Sequence, residues 1–257
     1  MPAGSGTIPR TVRSDTGPGL SVQAIDATSS VTTLTYEALR RAIMQMPIYD
    51  DGVDLRIDER RLADDLGVSR TPIRQAIVRL EQEGLLRTIP RVGTFVVRKT
   101  KREILDLITV WAALESMAAR LACERAGEAD VASLRTLFAT FDGGRLAADI
   151  DEYSEANLEF HRRIIELSGS ELLQRTIDGL LVHMQAVRRR TIRENERFAH
   201  SIVDHLQIIE ALEQRDPDVA ERLVRDHALK LARHVDQQVH YLGESDRADV
   251  ADGAEVG

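Results

Sequence analysis

The 257-residue chain is 43% hydrophobic, enough to bury sizeable cores in one or two domains, and its formal net charge is -8. Aromatic residues make up only 4% while Leu, Ala, Arg and Glu dominate, which points to helices and away from aromatic-rich sheets. No apolar run approaches the ~20 residues that span a bilayer, no secretory signal core opens the chain, and a single cysteine, Cys123, excludes an internal disulfide, so a cytoplasmic chain with no membrane partner is expected.

Residues 1–30 are rich in Gly, Pro, Ser and Thr without hydrophobic period and read as a disordered arm, as residues 244–257 read as a disordered tail. Order is expected from Val31, where "TLTYEALRRAIMQM" spaces Leu34, Ala38, Ile43 and Met46 as a helix would. "IDERRLADDLG" follows as a short second helix, with Asp58 as N-cap, Leu62 and Leu66 on one face and Gly67 as the stop. "GVSRTPIRQAIVRLEQEG" supplies a third: Ser69 caps it, Pro72 sits in its first turn, Val68 packs on Ile73, and Gly84 ends it. Its apolar stripe of Ile73, Ala76, Ile77 and Leu80 turns inward, leaving Arg70 and Arg74 outward, flanked by Thr71, Gln75 and Arg79.

"LLRTIPRVGTFVVRK" then holds two β-prone runs around "PRVG", a hairpin with a basic tip, so residues 31–99 have the order of a winged helix-turn-helix domain. Beyond Thr100 the strand signal disappears. Six segments of helical periodicity, most punctuated by Gly or Asp-Pro, predict an all-α helical bundle over residues 100–243. The fold class is mainly α, and Cys123 in "ARLACERA" reads as a packed thiol.

Between Val68 and Arg102 nine Lys or Arg stand against two Glu, a local +7 inside a chain of -8. A segment opposing the sign of its own protein is a local field, and phosphate is its natural target. In a helix-turn-helix the second helix enters the major groove by its N-terminal residues, where a guanidinium bridges O6 and N7 of guanine. Arg70 and Arg74 are placed for that role. Ser69, Thr71 and the helix N-terminal amides can donate to phosphate, and Arg91 at the hairpin tip can reach the backbone or minor groove.

"IDERRLADDLGVSRTPIRQAIVRLEQEGLLRTIPRVGTFV" resembles the DNA-binding domain of the GntR family of bacterial transcription regulators, and the helical remainder resembles the FCD effector domain of its FadR branch. The likeness runs from about Val31 to Leu242, with "SRTPIR" and "GTFV" specific in combination. It implies DNA contacts for Arg60, Arg70, Thr71, Arg74 and Gly93.

Of the seven histidines, three separate from the rest by spacing. Asn157 and His161 lie four apart on the face of Leu158, Ile164 and Ile165, while His205 shares a face with Ile209 and Leu212, and His227 with Leu223 and Leu231. Three buried imidazoles converging from three helices are costly unless satisfied, and a divalent metal does that well. The resemblance implies the same grouping, since many FCD domains bind metal through an Asp, a His four residues on and two later His; here Asn157, His161, His205 and His227 occupy those places. Asn157 brings a neutral carbonyl where the commoner pattern has a charge, and three imidazoles suit Zn or Ni. His183, His200, His234 and His240 read as structural.

Related domains also carry an arginine facing the effector pocket where "VWAALE" has Trp111, which favours a larger or partly apolar ligand. Arg188 supplies the missing cation if it faces inward, but the triplet Arg188 to Arg190 reads equally as solvent-facing. The function expected is a ligand-responsive repressor that binds a pseudo-palindromic operator in double-stranded DNA as a homodimer, one recognition helix per half-site, under control of a small organic acid. One alternative is a hydrolytic metalloenzyme, which lacks a base because Glu159 and Glu166 lie off the His161 face; the other is the same regulator with no metal in its pocket.

Overall fold

The computed structural model describes residues 30–139, 150–192 and 197–243; apart from Ser30, the expected arm and tail lie outside the described residues. The N-terminal part runs α1 (Val31–Gln45), β1 (Arg56–Ile57), α2 (Glu59–Leu66), α3 (Arg70–Gln82), β2 (Leu86–Ile89) and β3 (Gly93–Val96). α1 packs on α3, but through Thr35, Tyr36, Leu39 and Ile43; Leu34, expected on the inner face, is 58% exposed. A helix with apolar residues at several phases leaves the choice to its partner. Here the Tyr36 hydroxyl reaches the Glu83 carboxylate (2.7 Å), and Arg79 lies over the Tyr36 ring at 3.6 Å. Arg79 is exposed, yet its guanidinium is engaged by the Tyr36 ring and by Glu83 (3.4 Å) within the small domain.

Asp58 begins α2 as its composition suggests, accepting from the amides of Arg60 and Arg61, and Gly67 ends it in the left-handed region at φ 64°. Ala63 is the buried residue of this eight-residue helix and Leu62 is partly buried; Leu66, at its last position, is 39% exposed. α3 buries Pro72, Ile73, Ala76, Ile77 and Leu80. Ser69 occupies its N-cap in extended conformation, yet its side chain makes no capping bond.

The hairpin pairs Leu86 with Val96 and Ile89 with Gly93, and Arg91 at its tip takes φ 65°. β1 was not visible in the sequence. It adds to the other edge of β3, giving the order β1-β3-β2 with Arg56 opposite Phe95. Two residues carry no period of their own, so only the partner strand defines such an element.

The C-terminal part contains α4 (Lys101–Arg125), α5 (Glu128–Thr136), α6 (Ile150–Leu167), α7 (Glu171–Thr191), α8 (Arg197–Glu213) and α9 (Pro217–Gln238). Local chemistry marks their starts. Thr100 and Glu103 form a capping box before α4, Ser170 caps α7, and Asp216 caps α9 with Pro217 at its first position. α4 is the spine: it packs on α6, α7, α8 and α9 and buries Ile104, Ile108, Trp111, Ala112 and Ala119. Cys123 is buried on the same helix, and desolvation pushes its thiol up to about 11, so it stays an unreactive packed thiol.

Candidate functional site

His161 from α6, His205 from α8 and His227 from α9 meet in the bundle with their candidate ligand nitrogens within 4.8 Å of one another. All three are buried. Each Nδ1 faces a partner supplied by another residue: Glu115 for His161, the Tyr153 hydroxyl for His205 (3.2 Å), and Asp204 for His227 (3.1 Å). The nitrogen each ring has to offer an ion is therefore Nε2, and those of His205 and His227 stand 3.3 Å apart. Two nitrogens each about 2.0–2.1 Å from a tetrahedral zinc would be about 3.3–3.4 Å apart. Three imidazoles with their second nitrogens engaged, two of them by carboxylates, form a donor set that fits a divalent transition ion.

The surroundings orient these rings. Desolvation lowers the His227 imidazole pKa, opposed by its bond to Asp204, and a neutral imidazole is what a metal requires. Asp204 is raised by burial but held below the ordinary carboxylate range overall by its bonds to His227 and Lys230. Phe138 stacks on His205 with centroids 5.0 Å apart and Phe160 approaches it at 4.5 Å, so the centre lies in an apolar shell. Asn157 is buried and lines a small cavity with His227 and Arg188.

Glu115 is the residue sequence reasoning missed. It is fully buried on α4, one turn after Trp111, and binds three groups: His161, the Trp111 indole N–H (2.5 Å) and Arg188 (3.4 Å). Its i+4 spacing from Trp111 in "WAALE" was the available signal. The absence of a carboxylate near His161, expected from Glu159 and Glu166, is corrected: those two pair outward with Arg162 while Glu115 enters from another helix. Tyr153 lies on the His161 face of its own helix, two turns earlier. Asp204 adjoins His205 in sequence but serves His227, which no local pattern reveals.

Arg188 is only 5% exposed, which decides between its two readings in favour of the inward one. Burial pushes its guanidinium pKa down and the Glu115 carboxyl up, and each partner's charge pulls the other back. The cavity bounded by Asn157, Arg188, Thr191, Ser201 and His227 has a volume of about 10 Å³. That is room for about one water. An organic acid can enter only if a wall moves.

The arginine triplet of α7 divides between two tasks. Arg188 faces the histidine centre, whereas Arg189 donates to the Met44 carbonyl (3.1 Å) and Arg190 contacts Asp50 (3.5 Å), both in the N-terminal part. Two more bonds join the same surfaces: Arg40 to the Asp178 carbonyl (2.6 Å), and Tyr49 to His183 Nδ1 (3.0 Å). His183 is thus structural as expected, and its second nitrogen is buried without a hydrogen bond.

At the other end of the molecule, Arg70 and Thr71 open α3 and are exposed, and Ser69 precedes them. Arg60, Arg70, Arg91 and Gly93 line one open groove between α2, the start of α3 and the wing, with Arg56 of β1. Gly93 has φ 148°, a backbone conformation that strains any other residue, and a Cβ there would stand 3.3 Å from the Arg56 guanidinium and press on it. Arg74 is exposed as expected but held by Glu59 at 3.0 Å. A solvent-exposed pair of this kind is worth ~0–1 kcal/mol, little against a phosphate or guanine contact.

Comparison with known proteins follows these two regions. Residues 32–96 match the family model of bacterial regulatory proteins, gntR family, and residues 106–230 match the FCD domain. The Nta operon transcriptional regulator of Aminobacter aminovorans is 34% identical over 183 residues, spanning 71% of this chain and 83% of that protein. The HTH-type transcriptional repressor RspR of Escherichia coli is 24% identical over 216 residues, 83% and 92% of the two chains. The solved structure of E. coli McbR/YncC superposes with TM-score 0.67 at 23% identity, covering 82% of this chain and 99% of the other, a likeness of fold. No helix among the described residues is long and apolar enough to cross a membrane. An N-terminal winged helix-turn-helix with an outward basic helix, a helical bundle behind it and these matches make the chain a member of the GntR family of bacterial regulatory proteins, a DNA-binding transcription regulator with an FCD domain and not an enzyme.

Proposed function

We propose that this regulator is a cytoplasmic homodimeric repressor of the FadR branch, which binds a pseudo-palindromic operator and is released or tightened by a small organic acid bound beside a metal in its helical domain. One observation carries the reading: α7 presents Arg188 to the histidine centre and, by the next two residues, Arg189 and Arg190, holds Met44 and Asp50 of the DNA-binding part. A single rigid helix therefore touches both functional regions.

His161, His205 and His227 would hold the ion, with Asn157 offering a neutral carbonyl oxygen. When bound, a divalent transition ion supplies a Lewis-acidic centre for an effector carboxylate or hydroxyl. Glu115, Tyr153 and Asp204 orient the three rings. Arg188 supplies the cation for the effector's anionic group, and Trp111 packs an apolar wall beside it, its ring 5.2 Å from the guanidinium. Since the cavity is too small for an organic acid, the effector selects a conformation in which α7 has shifted, and the bonds of Arg189, Arg190 and His183 carry that shift to α1 and the following turn. In the operator complex Arg70 and Arg74 read bases, Ser69 and Thr71 hold phosphate, and Arg60, Arg91 and Gly93 fit the flanking backbone.

The test is a thermal-shift screen of sugar acids, hydroxy acids and aromatic acids, with Zn(II), with Ni(II) and with neither, followed by DNA binding with each hit. A metal-dependent stabilisation that also changes DNA affinity is expected. Stabilisers that leave DNA affinity unchanged would sink the regulatory link. A metal-free regulator is the second reading, favoured by the 3.3 Å His205 to His227 distance, which is also within hydrogen-bonding reach. Elemental analysis of protein purified without chelator separates them: stoichiometric metal, absent after His161→Ala, supports the first.

A further inference from the structure

α9 stops at Gln238, but the chain does not leave the body there. Val239 turns extended at φ -88° and ψ 120°, and Val239 and Leu242 are 1% and 4% exposed. The last residues of a domain fray unless something ties them down. Here two contacts add to the apolar pair. The Gly243 carbonyl accepts from the Lys101 amide (3.1 Å), one of the N–H groups that the start of α4 cannot satisfy within the helix, and the Lys101 ammonium donates back to the Asp236 carbonyl. The Tyr241 ring takes the Arg190 guanidinium on its face at 3.6 Å.

Both partners belong to the junction with the DNA-binding part. Lys101 begins α4 directly after residues 97–100, which link the wing to the bundle. Within that link Arg98 donates to the carbonyls of Ile48 (2.6 Å) and Asp50 (2.9 Å), and the Lys99 amide to the Tyr49 hydroxyl (3.4 Å). With Tyr241 on one face, the plane of the Arg190 guanidinium is fixed, and its N–H groups, which lie in that plane, are aimed at Asp50 (3.5 Å) and Asp51 (3.9 Å). The contacts close a ring: residues 239–243 hold α4 and α7, and the link and α7 both hold residues 48–51.

We propose that residues 239–243 are a clasp that fixes the pose of the winged helix-turn-helix part on the bundle, acting through Arg190 and Lys101. Parts joined by a short link move against each other unless their interface is large and apolar, and the bonds across this junction are polar. The clasp supplies the restraint from the far end of the chain, beyond residues 106–230 that match the FCD domain. Neither metal nor effector enters this coupling. The clasp sets the resting pose, from which any shift of α7 starts.

The experiment uses the full chain and reads amide hydrogen exchange by mass spectrometry. Tyr241→Ala is expected to speed exchange at residues 48–51 and 97–101 about tenfold while α8 around His205 keeps its protection, because only the junction opens. Leu242→Ala, at the other anchor, should act in the same direction, and Tyr241→Phe, which keeps the ring face, should match the wild type. Val224→Ala, buried on α9 fifteen residues before Val239, is the control for a general loss of stability. Affinity for a duplex selected from a random pool should fall about tenfold in Tyr241→Ala with base preference unchanged, since the clasp sets the pose and Arg70 and Arg74 are untouched. Unchanged exchange at the junction, or faster exchange spread evenly as in Val224→Ala, overturns the clasp; a loosened junction with wild-type DNA affinity overturns its role in positioning the DNA-binding part.

Discussion

Arg188 and Glu115 face each other at 3.4 Å with side chains 6% and 0% exposed, a charge pair sealed between α7 and α4 beside the histidine centre. Removing one member of a buried pair strands the other charge. Glu115→Ala is therefore expected to lower unfolding free energy by ~3–5 kcal/mol, and Glu115→Gln by less because the amide oxygen can still accept from Trp111. Urea denaturation monitored by Trp111 fluorescence measures both. A loss under 1 kcal/mol for the alanine variant contradicts the pair's structural role.

Arg70→Ala should cost ~1–3 kcal/mol in affinity for an oligonucleotide selected from a random pool, and should relax base preference at one position of each half-site. Arg91→Ala should weaken binding evenly across sequences and reduce the salt slope by about one. Fluorescence anisotropy at several salt concentrations distinguishes the two patterns. Unchanged affinity and preference in the Arg70 variant would remove α3 from the base-reading role.

Metal affinity tests the histidine centre in three directions. His205→Ala is expected to abolish stoichiometric Zn(II), Asp204→Asn to weaken it about 10–100-fold by loosening His227, and Asn157→Asp to tighten it by adding a charge at the ligand position. Competition against a chromophoric chelator reads all three. An Asn157→Asp variant with no gain in affinity would place residue 157 outside the ligand set.

Burial lowers the His183 imidazole from 6.5 to about 3. Between those values the unfolded chain binds a proton there that the folded chain does not, so stability contributed by neutral His183 is present above the upper value and is lost as pH falls. The loss reaches ~1.4 kcal/mol per pH unit inside the window. Urea midpoints at pH 7, 6 and 5 should fall more steeply for the wild type than for His183→Gln. Equal slopes would mean that the junction with Tyr49 admits the charged ring.

Much of this molecule is local in origin and therefore legible in the chain. Asp58, Gly67, Pro72, Thr100 and Asp216 act on backbone groups within four residues, and the stripe of α3 follows from a period of 3.6, so helix starts and the outward aim of Arg70 needed no tertiary information. The grouping of His161, His205 and His227 was legible for the same reason: each lies on its helix's apolar face, and apolar faces converge. The tertiary structure decided the rest. Which phase of α1 turns inward depended on Tyr36 meeting Glu83, β1 exists only because β3 offers an edge, and the inward turn of Arg188 depended on Glu115, seventy-three residues away. A cap or a period is set by neighbours along the chain, whereas a buried charge is placed by the one group that can neutralise it, and that group comes from wherever the fold brings it.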